Sequence, residues 1–418
     1  MANKDERSMG KVKKQGDNDI RKPARWLYRS ALRILQLPML LLFGIRIFRE
    51  PCLKKINGPI IVLGNHPSYL DPFLAALALP FWEINFVAAS LFFRNRRLKP
   101  ILELLGVIPK VQFRSDAAAL KRMLKVLKSE GVLGIFPEGQ RSLDGTANPF
   151  DDTIAKLIKK TCCHVVFLKI NGAYLTWPRW SAHGMRPGRI EIRADLLLTP
   201  EQTEGLTADE IAAKLKNTLS FNDYEWQHNR RKKASYFYFR PAENMHNICH
   251  QCPVCKTELS MRAKNNKIVC DVCHSGYRID RHGFLFPLTE GQPDISDVHA
   301  WRVWQQEMMK QRIKQSGFAL NFSVETQTAG VGEAFAGDGA GQLLIDRSGL
   351  FYTGIDRQGQ KVEFTSPAGK TARFSADYGL NLEIPHDRGS FRFFPDPGQA
   401  VILLADVLAL LDNGKSEQ

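Results

Sequence analysis

The sequence has no long hydrophobic run and no tandem repeat. Within the apolar segment at 26–48, the longest stretch without a charged residue extends from Ile34 to Ile45, which is short of the ~20 apolar residues that a membrane-spanning helix requires. Residues 1–25 contain no apolar core, so we expect a flexible tail of mixed charge there rather than a secretory signal peptide. The sequence therefore predicts that any contact with a bilayer is made by surface residues and not by a membrane-spanning helix.

Cysteine is scarce outside one short segment. Five of the eight cysteines lie between Cys249 and Cys273, and clustering of this kind without a secretion signal indicates metal binding rather than disulfides. Two CxxC pairs in the segment have the spacing of a zinc ribbon with a closed, structural site. The predicted zinc ligands are Cys252, Cys255, Cys270 and Cys273.

The composition is that of a globular protein with a large positive charge. The 418 residues are 44% hydrophobic, enough to form two or three domains with sizeable cores. The net charge of +15 suits a negatively charged partner, either nucleic acid or an anionic membrane surface. Nucleic acid is disfavoured because no basic run interleaved with aromatic residues continues beyond the RRKK stretch at 230–233.

Residues 26–50 are apolar but interrupted by basic residues. Arg29, Arg33 and Arg46 punctuate the stretch, and Pro38 is expected to break it. The pattern favours one or two amphipathic helices that lie in the membrane interface, with arginine side chains reaching toward phosphates. The alternative is an ordinary core helix with charged edges. The first interpretation predicts a peripheral protein on the cytoplasmic face of a membrane.

Residues 51–227 alternate strand-like and helix-like segments. This order is typical of an α/β domain with a mixed or largely parallel sheet and flanking helices. Ser115 is predicted to be the N-cap of a helix that ends near Gly131. Thr207 and Glu210 have the spacing of a capping box and open the last predicted helix of that domain. We expect a basic and aromatic linker at 228–248, a zinc ribbon at 249–282, and a small β-rich domain with a C-terminal helix at 297–418. Within the ribbon, the KNNK stretch at 264–267 is predicted to be the turn of a hairpin.

The stretch GNHPSYLDPF, residues 64–73, places a histidine and an aspartate five positions apart. A regular helix would point His66 and Asp71 in different directions, but Pro67 and Pro72 indicate a turn that can bring them together. Asp71 followed by Pro72 predicts a helix N-cap and a first helical position. The pair could be a general base with its orienting acid; the alternative is a capped turn without a chemical role.

Two further turns carry polar groups at predicted strand ends. GVIPKVQFR spans 106–114, and FPEGQRS spans 136–142. The ends of parallel strands meet at one edge of a sheet, where ligands bind. Arg141, together with Arg114 or Lys110, could hold a phosphate group, and the second turn adds a carboxylate and a close backbone approach through Glu138 and Gly139. The alternative is a plain strand turn with solvated surface charge.

Taken together, NHPSYLD and FPEGQRS resemble the first and third motifs of the glycerolipid acyltransferases, the lysophosphatidic acid acyltransferase superfamily. GVIPKVQFR falls where the second motif belongs and HVVFLKINGAYLTWPRW where the fourth belongs, so the resemblance covers roughly residues 45–225. Arg114 lies farther from Gly106 than the second motif usually places its arginine, which keeps Lys110 as an alternative. Gln140 stands where threonine is frequent.

The resemblance implies a membrane-associated O-acyltransferase. His66 would be the general base on the hydroxyl of a lysophospholipid of the 1-acylglycerol-3-phosphate type, with Asp71 fixing its tautomer. The acyl donor would be acyl-CoA or acyl carrier protein, and no catalytic cofactor is implied. Glu138 would hold the acceptor or order the turn, and Arg141 with Arg114 or Lys110 would bind its phosphate.

Two other functions remain open from the sequence. The first is a non-catalytic membrane adaptor that keeps the fold to bind lipid, with the zinc ribbon and the β-rich domain, which vaguely resembles pleckstrin-homology-like modules, docking a protein partner. The second is a zinc protein that binds nucleic acid. The presence of His66, Asp71 and Glu138 together favours the enzyme over both.

Overall fold

The computed structural model describes residues 22–112, 115–150, 152–181, 184–330, 335–369, 374–387 and 389–416. Most of the predicted N-terminal tail and Arg114 lie outside these ranges. Within them, no helix has both the length and the apolar composition that crossing a bilayer requires.

The N-terminal half is built around a mixed sheet, seven-stranded in the described residues, with the order β1-β7-β6-β2-β5-β3-β4. The neighbouring strands run parallel except β6 and β7, which are antiparallel. This confirms the predicted mixed α/β architecture. The elements are α1 (Arg25–Leu42), β1 (Arg46–Arg49), β2 (Ile60–Gly64), α2 (Asp71–Ala78), β3 (Ile84–Ala89), α3 (Leu98–Leu104), β4 (Ile108–Lys110), α4 (Ala117–Lys128), β5 (Val132–Ile135), α5 (Thr153–Thr161), β6 (His164–Asn171), α6 (Ala173–Thr176), β7 (Glu191–Leu198), α7 (Pro200–Gly205), α8 (Ala208–Leu219) and α9 (Asp223–Asn229).

The central strand β2 explains why helices cover both faces of this sheet. Successive side chains of a strand point to opposite faces, and all five residues of β2 are buried. Ile60 and Val62 pack in the cluster that contains α2, whereas Ile61 and Leu63 pack in the cluster that contains α4, α5 and α8. A continuous apolar strand of this kind is stable only between two layers of helices.

The segment predicted as interfacial helices is partly a strand. One helix, α1, continues through Pro38, and residues 46–49 form the edge strand β1, which pairs with β7. The missing amide of Pro38 leaves the carbonyl of Ile34 without its helical bond, and Ile34 is exposed, so solvent can satisfy that group. The prediction that Pro38 breaks the helix, and that helices extend to residue 50, is therefore wrong.

Two predicted helix caps are also wrong. Helix α2 begins at Asp71 and has Leu70 in the cap position, because the Asp71 carboxylate turns back to accept the amide of Ser68. Helix α4 is capped by Asp116, whose side chain accepts the amide of Ala119, rather than by Ser115. The capping box at the start of α8 is confirmed, but α9 follows α8, so α8 is not the last helix before residue 228.

The C-terminal half contains two antiparallel sheets. The KNNK turn at 264–267 joins β8 and β9 as predicted, and the first sheet has the order β11-β10-β9-β8. The second has the order β15-β14-β13-β12-β18-β17-β16 and precedes the predicted terminal helix. The elements are β8 (Met261–Lys264), β9 (Lys267–Cys270), β10 (Gly276–Ile279), β11 (Leu285–Pro287), α10 (Val298–Lys314), β12 (Ala319–Gly330), β13 (Ala336–Asp346), β14 (Gly349–Asp356), β15 (Lys361–Pro367), β16 (Ser375–Asp377), β17 (Asn381–His386), β18 (Gly389–Pro395) and α11 (Ala400–Ser416).

The two halves share a hydrophobic core. One cluster of buried side chains includes Tyr174 and Tyr224 from the N-terminal half, Trp301 from α10 and Leu404 from α11. Burial of apolar surface is the dominant favourable contribution to folding and association. The C-terminal elements are therefore packed onto the first sheet's domain rather than tethered to it.

A buried guanidinium also joins the halves. Arg302 of α10 lies 3.1 Å from the carboxylate of Asp144, in the loop after β5, and 2.5 Å from the carboxylate of Asp406 in α11. His299 and Gln306, on the same helix, add bonds to the two carboxylates. Burial opposes ionisation of Asp144, but the charge of Arg302 prevails and holds its pKa well below the usual range.

We expect Arg302→Leu to lower the free energy of unfolding by about 3–5 kcal/mol, because it leaves two buried carboxylates without their cation. Urea unfolding followed by circular dichroism measures this loss. Lys310→Ala on the same helix is the control, since Lys310 makes an exposed pair with Glu307 that contributes about 0–1 kcal/mol. Equal effects of the two substitutions would refute the role assigned to Arg302.

Candidate active site

The turn after β2 brings the predicted pair together. Nδ1 of His66 lies 2.7 Å from Oδ2 of Asp71, and the same oxygen accepts the amide of Ser68 at 2.9 Å. The amide of Leu70 is bonded to the Ser68 hydroxyl, so the turn is closed by its own polar groups. Asp71 is fully buried, whereas 19% of the His66 side chain is exposed. The proline-bracketed spacing therefore produces the geometry that the sequence predicts.

The environment of His66 keeps its ring neutral. Burial lowers the pKa of His66 to about 3, and the positive charges of Arg141 and Arg179 act in the same direction. Burial also raises the pKa of Asp71, against the effect of the Ser68 amide. With Nδ1 directed at Asp71, Nε2 is the nitrogen left for another partner. A neutral imidazole with a free nitrogen at the edge of a site is the form that a general base requires.

Glu138 connects the turn after β5 to the turn that holds His66. Its Oε1 accepts the amide of His66 at 2.9 Å, and its Oε2 accepts the amide of Asn148 at 2.7 Å. Ser142 adds a bond from its amide to the carbonyl of His66 at 2.8 Å. Burial raises the pKa of Glu138 to about 8, although the bonds from Asn148 and His66 oppose this increase. Because both carboxylate oxygens are used within the protein, the contacts favour the ordering role of Glu138 over contact with an acceptor.

Two guanidinium groups flank the histidine. Arg141 stacks on the ring of Tyr69, with its central carbon 3.2 Å from the ring centroid. Arg179 donates to the carbonyl of Arg141 at 3.4 Å and to the carbonyl of Ala376, in β16, at 2.5 Å. No described carboxylate forms an ion pair with either guanidinium, and Nε of Arg179 is buried without a hydrogen-bond partner. The pair forms a positively charged site beside His66.

Arg179 was not singled out as a site residue from the sequence. The signal for it was present, since the TWPRW stretch at 176–180 lies where the fourth motif was placed. Its position depends on the C-terminal half, because the Tyr378 ring lies 5.3 Å from the Arg179 guanidinium and the Tyr378 hydroxyl donates to the carbonyl of Leu143. The β-rich domain thus borders the site.

The remaining predicted residues lie around this arrangement. Gly139 has a φ of +68° and open space where a side chain would be, a conformation that glycine adopts without strain. Gln112, after β4, donates to the carbonyl of Gly139 at 2.8 Å and so joins the second and third motif turns. The ammonium group of Lys110 donates to the carbonyl of Val111 at 3.1 Å. Arg114 lies outside the described residues.

The four predicted zinc ligands converge. Sγ of Cys252 lies 3.6 Å from Sγ of Cys273, and Sγ of Cys255 lies 3.7 Å from Sγ of Cys270, with all four sulfur atoms within 4.8 Å of one another. A tetrahedral zinc ion with bonds of about 2.3 Å places its sulfur ligands about 3.8 Å apart. The residues therefore fit a structural zinc ion.

Comparison with known proteins points to one enzyme class. Residues 44–170 match the family model described as Acyltransferase. A chloroplastic 1-acyl-sn-glycerol-3-phosphate acyltransferase of Brassica napus is 27% identical over 171 residues, which is 40% of this chain and 47% of that protein. A 1-acyl-sn-glycerol-3-phosphate acyltransferase of Borreliella burgdorferi is 34% identical over 112 residues, which is 26% of this chain and 43% of that protein.

Among solved structures, the 1-acyl-sn-glycerophosphate acyltransferase of Thermotoga maritima aligns with 50% of this chain and 83% of its own, at 20% identity and a TM-score of 0.39. The chain spans less than half the length of the two sequence relatives above. The family match contains His66, Asp71, Glu138 and Arg141. The sequence comparisons support the glycerolipid acyltransferase superfamily for this part of the chain and acyltransferase as the enzyme class, as the motifs predict.

Proposed function

We propose that this protein transfers a fatty acyl group from the thioester of acyl-CoA or acyl carrier protein to the hydroxyl of a lysophospholipid of the 1-acylglycerol-3-phosphate type. The observation that carries the proposal is the bonded pair of His66 and the buried Asp71, inside the segment that matches the acyltransferase family and beside Arg141 and Arg179. The names of the sequence relatives support the class of acceptor.

The reaction follows from the chemistry of the pair. Nε2 of His66 takes the proton of the acceptor hydroxyl while the hydroxyl oxygen attacks the thioester carbonyl. Collapse of the tetrahedral intermediate then releases the thiol, which receives the proton. Asp71 holds the ring in the orientation that leaves Nε2 free. No metal or organic cofactor takes part in this scheme, and a positioned general base contributes about 10²- to 10⁴-fold.

The acceptor phosphate is held by Arg141 and Arg179 in this proposal. Guanidinium groups bind phosphate oxygens through paired, charge-assisted bonds, and no described carboxylate forms an ion pair with either group. Lys110 remains a candidate for a further contact from the second motif, and so does Arg114, which lies outside the described residues.

The outer face of α1 is proposed as the membrane contact. Arg25 and Arg29 pair with Glu83 and hold the helix against the domain, while large apolar side chains face outward: Trp26, Ile34, Leu35, Leu37, Leu41 and Leu42. A helix with such a face lies in the interface of a bilayer. We therefore propose peripheral attachment, on the cytoplasmic face, where the lysophospholipid acceptor is reached from the bilayer.

Acyl transfer from labelled acyl-CoA and acyl carrier protein into a panel of lysolipids tests the function. We expect product with the wild-type protein and about 10²- to 10⁴-fold less with His66→Ala, because the general base is lost. His228→Ala, an exposed histidine of α9, is the matched control. If no acceptor gives product while both proteins bind liposomes equally, the non-catalytic adaptor becomes the better description.

Replacing Arg179 tests the phosphate site. We expect Arg179→Gln to raise KM for a phosphate-bearing acceptor about 10- to 100-fold, since one charge-assisted interaction is lost, and to change KM for an uncharged monoacylglycerol little. Steady-state kinetics on both acceptors measures the difference. Arg193→Gln, on the exposed surface of β7, is the control, and an equal loss on both acceptors would rule out phosphate recognition by Arg179.

We also propose that the four cysteines hold a structural zinc ion. Elemental analysis is then expected to find one zinc per chain, and Cys255→Ser to lower the zinc content and the thermal midpoint, because a structural site couples metal binding to folding. Cys52→Ser is the control, since Cys52 is exposed and distant in sequence from the cluster. Zinc content that is the same in both variants would contradict the assignment.

A further inference from the structure

The segment after α9 exposes two large aromatic side chains. We call residues 236–239 the aromatic strap. Tyr236 is buried, but Phe237 is 64% exposed and Phe239 is 97% exposed. In water such exposure forgoes the favourable burial of both rings. Phe237 and Phe239 therefore present an exposed apolar surface on the strap.

The strap is held in place by its backbone. The amide of Tyr236 donates to the carbonyl of Arg281 at 2.7 Å, and the amide of Phe237 donates to the carbonyl of Pro187 at 2.9 Å. The Tyr236 hydroxyl donates to the carbonyl of Arg189 at 3.0 Å. Bonds to two separate segments fix the backbone at Tyr236 and Phe237. The outward direction of Phe237 is thus part of the fold rather than the state of a loose loop.

Positive charge surrounds the strap. Arg278, in β10, and Arg281, in the turn between β10 and β11, line the same concave surface as the four strap residues. Exposed cations also precede and follow the strap at Arg231, Lys232 and Arg240. The nearby acids are engaged within the protein, since Asp280 accepts the amides of His282 and Phe284, and Glu243 pairs with Arg240. Exposed aromatic rings among basic residues match the interface of an anionic bilayer.

The strap lies next to the end of α1. The Tyr236 ring packs directly on Gly188, and a side chain at Gly44, just after α1, would lie 3.1 Å from the Gly188 carbonyl. The amide of Ile190 donates to the carbonyl of Phe43 at 3.0 Å. The last turn of α1 exposes Leu41 and Leu42. One short segment, residues 187–190, therefore separates the strap from the apolar end of the helix.

We propose that the aromatic strap and the end of α1 form one continuous contact surface for an anionic lipid bilayer. Phe237 and Phe239 enter the boundary between headgroups and acyl chains, and Arg278 and Arg281 face the lipid phosphates. The inference rests on the proposed membrane contact of α1 and extends it to the C-terminal half. A second attachment point would fix how the domain is oriented on the membrane, because one helix alone leaves rotation about its axis free.

Flotation of the full chain with lipid vesicles tests the surface. The double substitution Phe237→Ser and Phe239→Ser is expected to weaken partition onto phosphatidylcholine–phosphatidylglycerol vesicles by about 10- to 100-fold. Val272→Ser with Leu380→Ser removes two similarly exposed apolar side chains elsewhere and is expected to leave partition unchanged. Equal partition of the two double variants would overturn the proposal.

A direct readout locates the side chain. In Phe239→Trp, the emission gained over the wild-type spectrum is expected to shift to the blue on anionic vesicles and to be quenched by brominated acyl chains. No shift or quenching, with the protein bound, would show that the strap stays in water and would overturn the proposal. Self-association or nucleic-acid binding lost in the double phenylalanine variant, with vesicle binding intact, would assign the strap to another partner.

Activity separates this inference from the proposed reaction. With acceptor dispersed in detergent, the double phenylalanine variant is expected to match the wild-type rate, because the proposed reaction gives neither ring a role in binding the acceptor or in catalysis. If the wild-type protein transfers acyl groups and the double variant binds vesicles as well as the wild type does, the proposal for the strap is overturned and the proposed reaction stands. Absence of acyl transfer in the wild-type protein, with the strap still required for vesicle binding, would overturn the reaction alone.

Discussion

The site of this protein depends on a buried cation far from it in sequence. Arg302 binds Asp144 in the loop after β5 and Asp406 in α11, and that loop carries Glu138 and Ser142, which bond to the backbone of His66. The charges of two buried carboxylates thus depend mainly on one guanidinium, with further bonds from His299 and Gln306. Through it, the position of the histidine is coupled to the packing of the last helix.

The same cations that suit an acceptor phosphate also set the protonation of the base. Arg141 and Arg179 add to the effect of burial in lowering the pKa of His66. A dianionic phosphate bound to both arginines would offset their charge. The pKa of the histidine would then rise, since a nearby positive charge lowers it and a nearby negative charge raises it. In the proposed reaction, the acceptor would therefore strengthen the base that activates its own hydroxyl.

Local features were predictable from the sequence, and distant ones were not. His66 and Asp71 were predictable as a pair because the turn that joins them is closed within six residues by its own polar groups. The cysteine ligands were predictable because a CxxC spacing leaves little choice of geometry. Arg179 was missed because its acceptor, the Ala376 carbonyl, is 197 positions away. Hydrophobic periodicity shows that a face is apolar but not which element covers it. For this reason the sequence placed β1 within a helix and did not predict the core that the two halves share.

The shared core has a consequence for how the chain is made. Synthesis proceeds from the N-terminus, and domains generally fold as units as they emerge. The face that carries Tyr174 and Tyr224 is completed by Trp301 and by α11, which leave the ribosome after the N-terminal half. A nascent chain would contain the whole proposed catalytic motif set for many seconds while this face stayed uncovered. Newly made protein would then need protection from aggregation during that interval, and the proposed acyl transfer would begin only after α11 had docked.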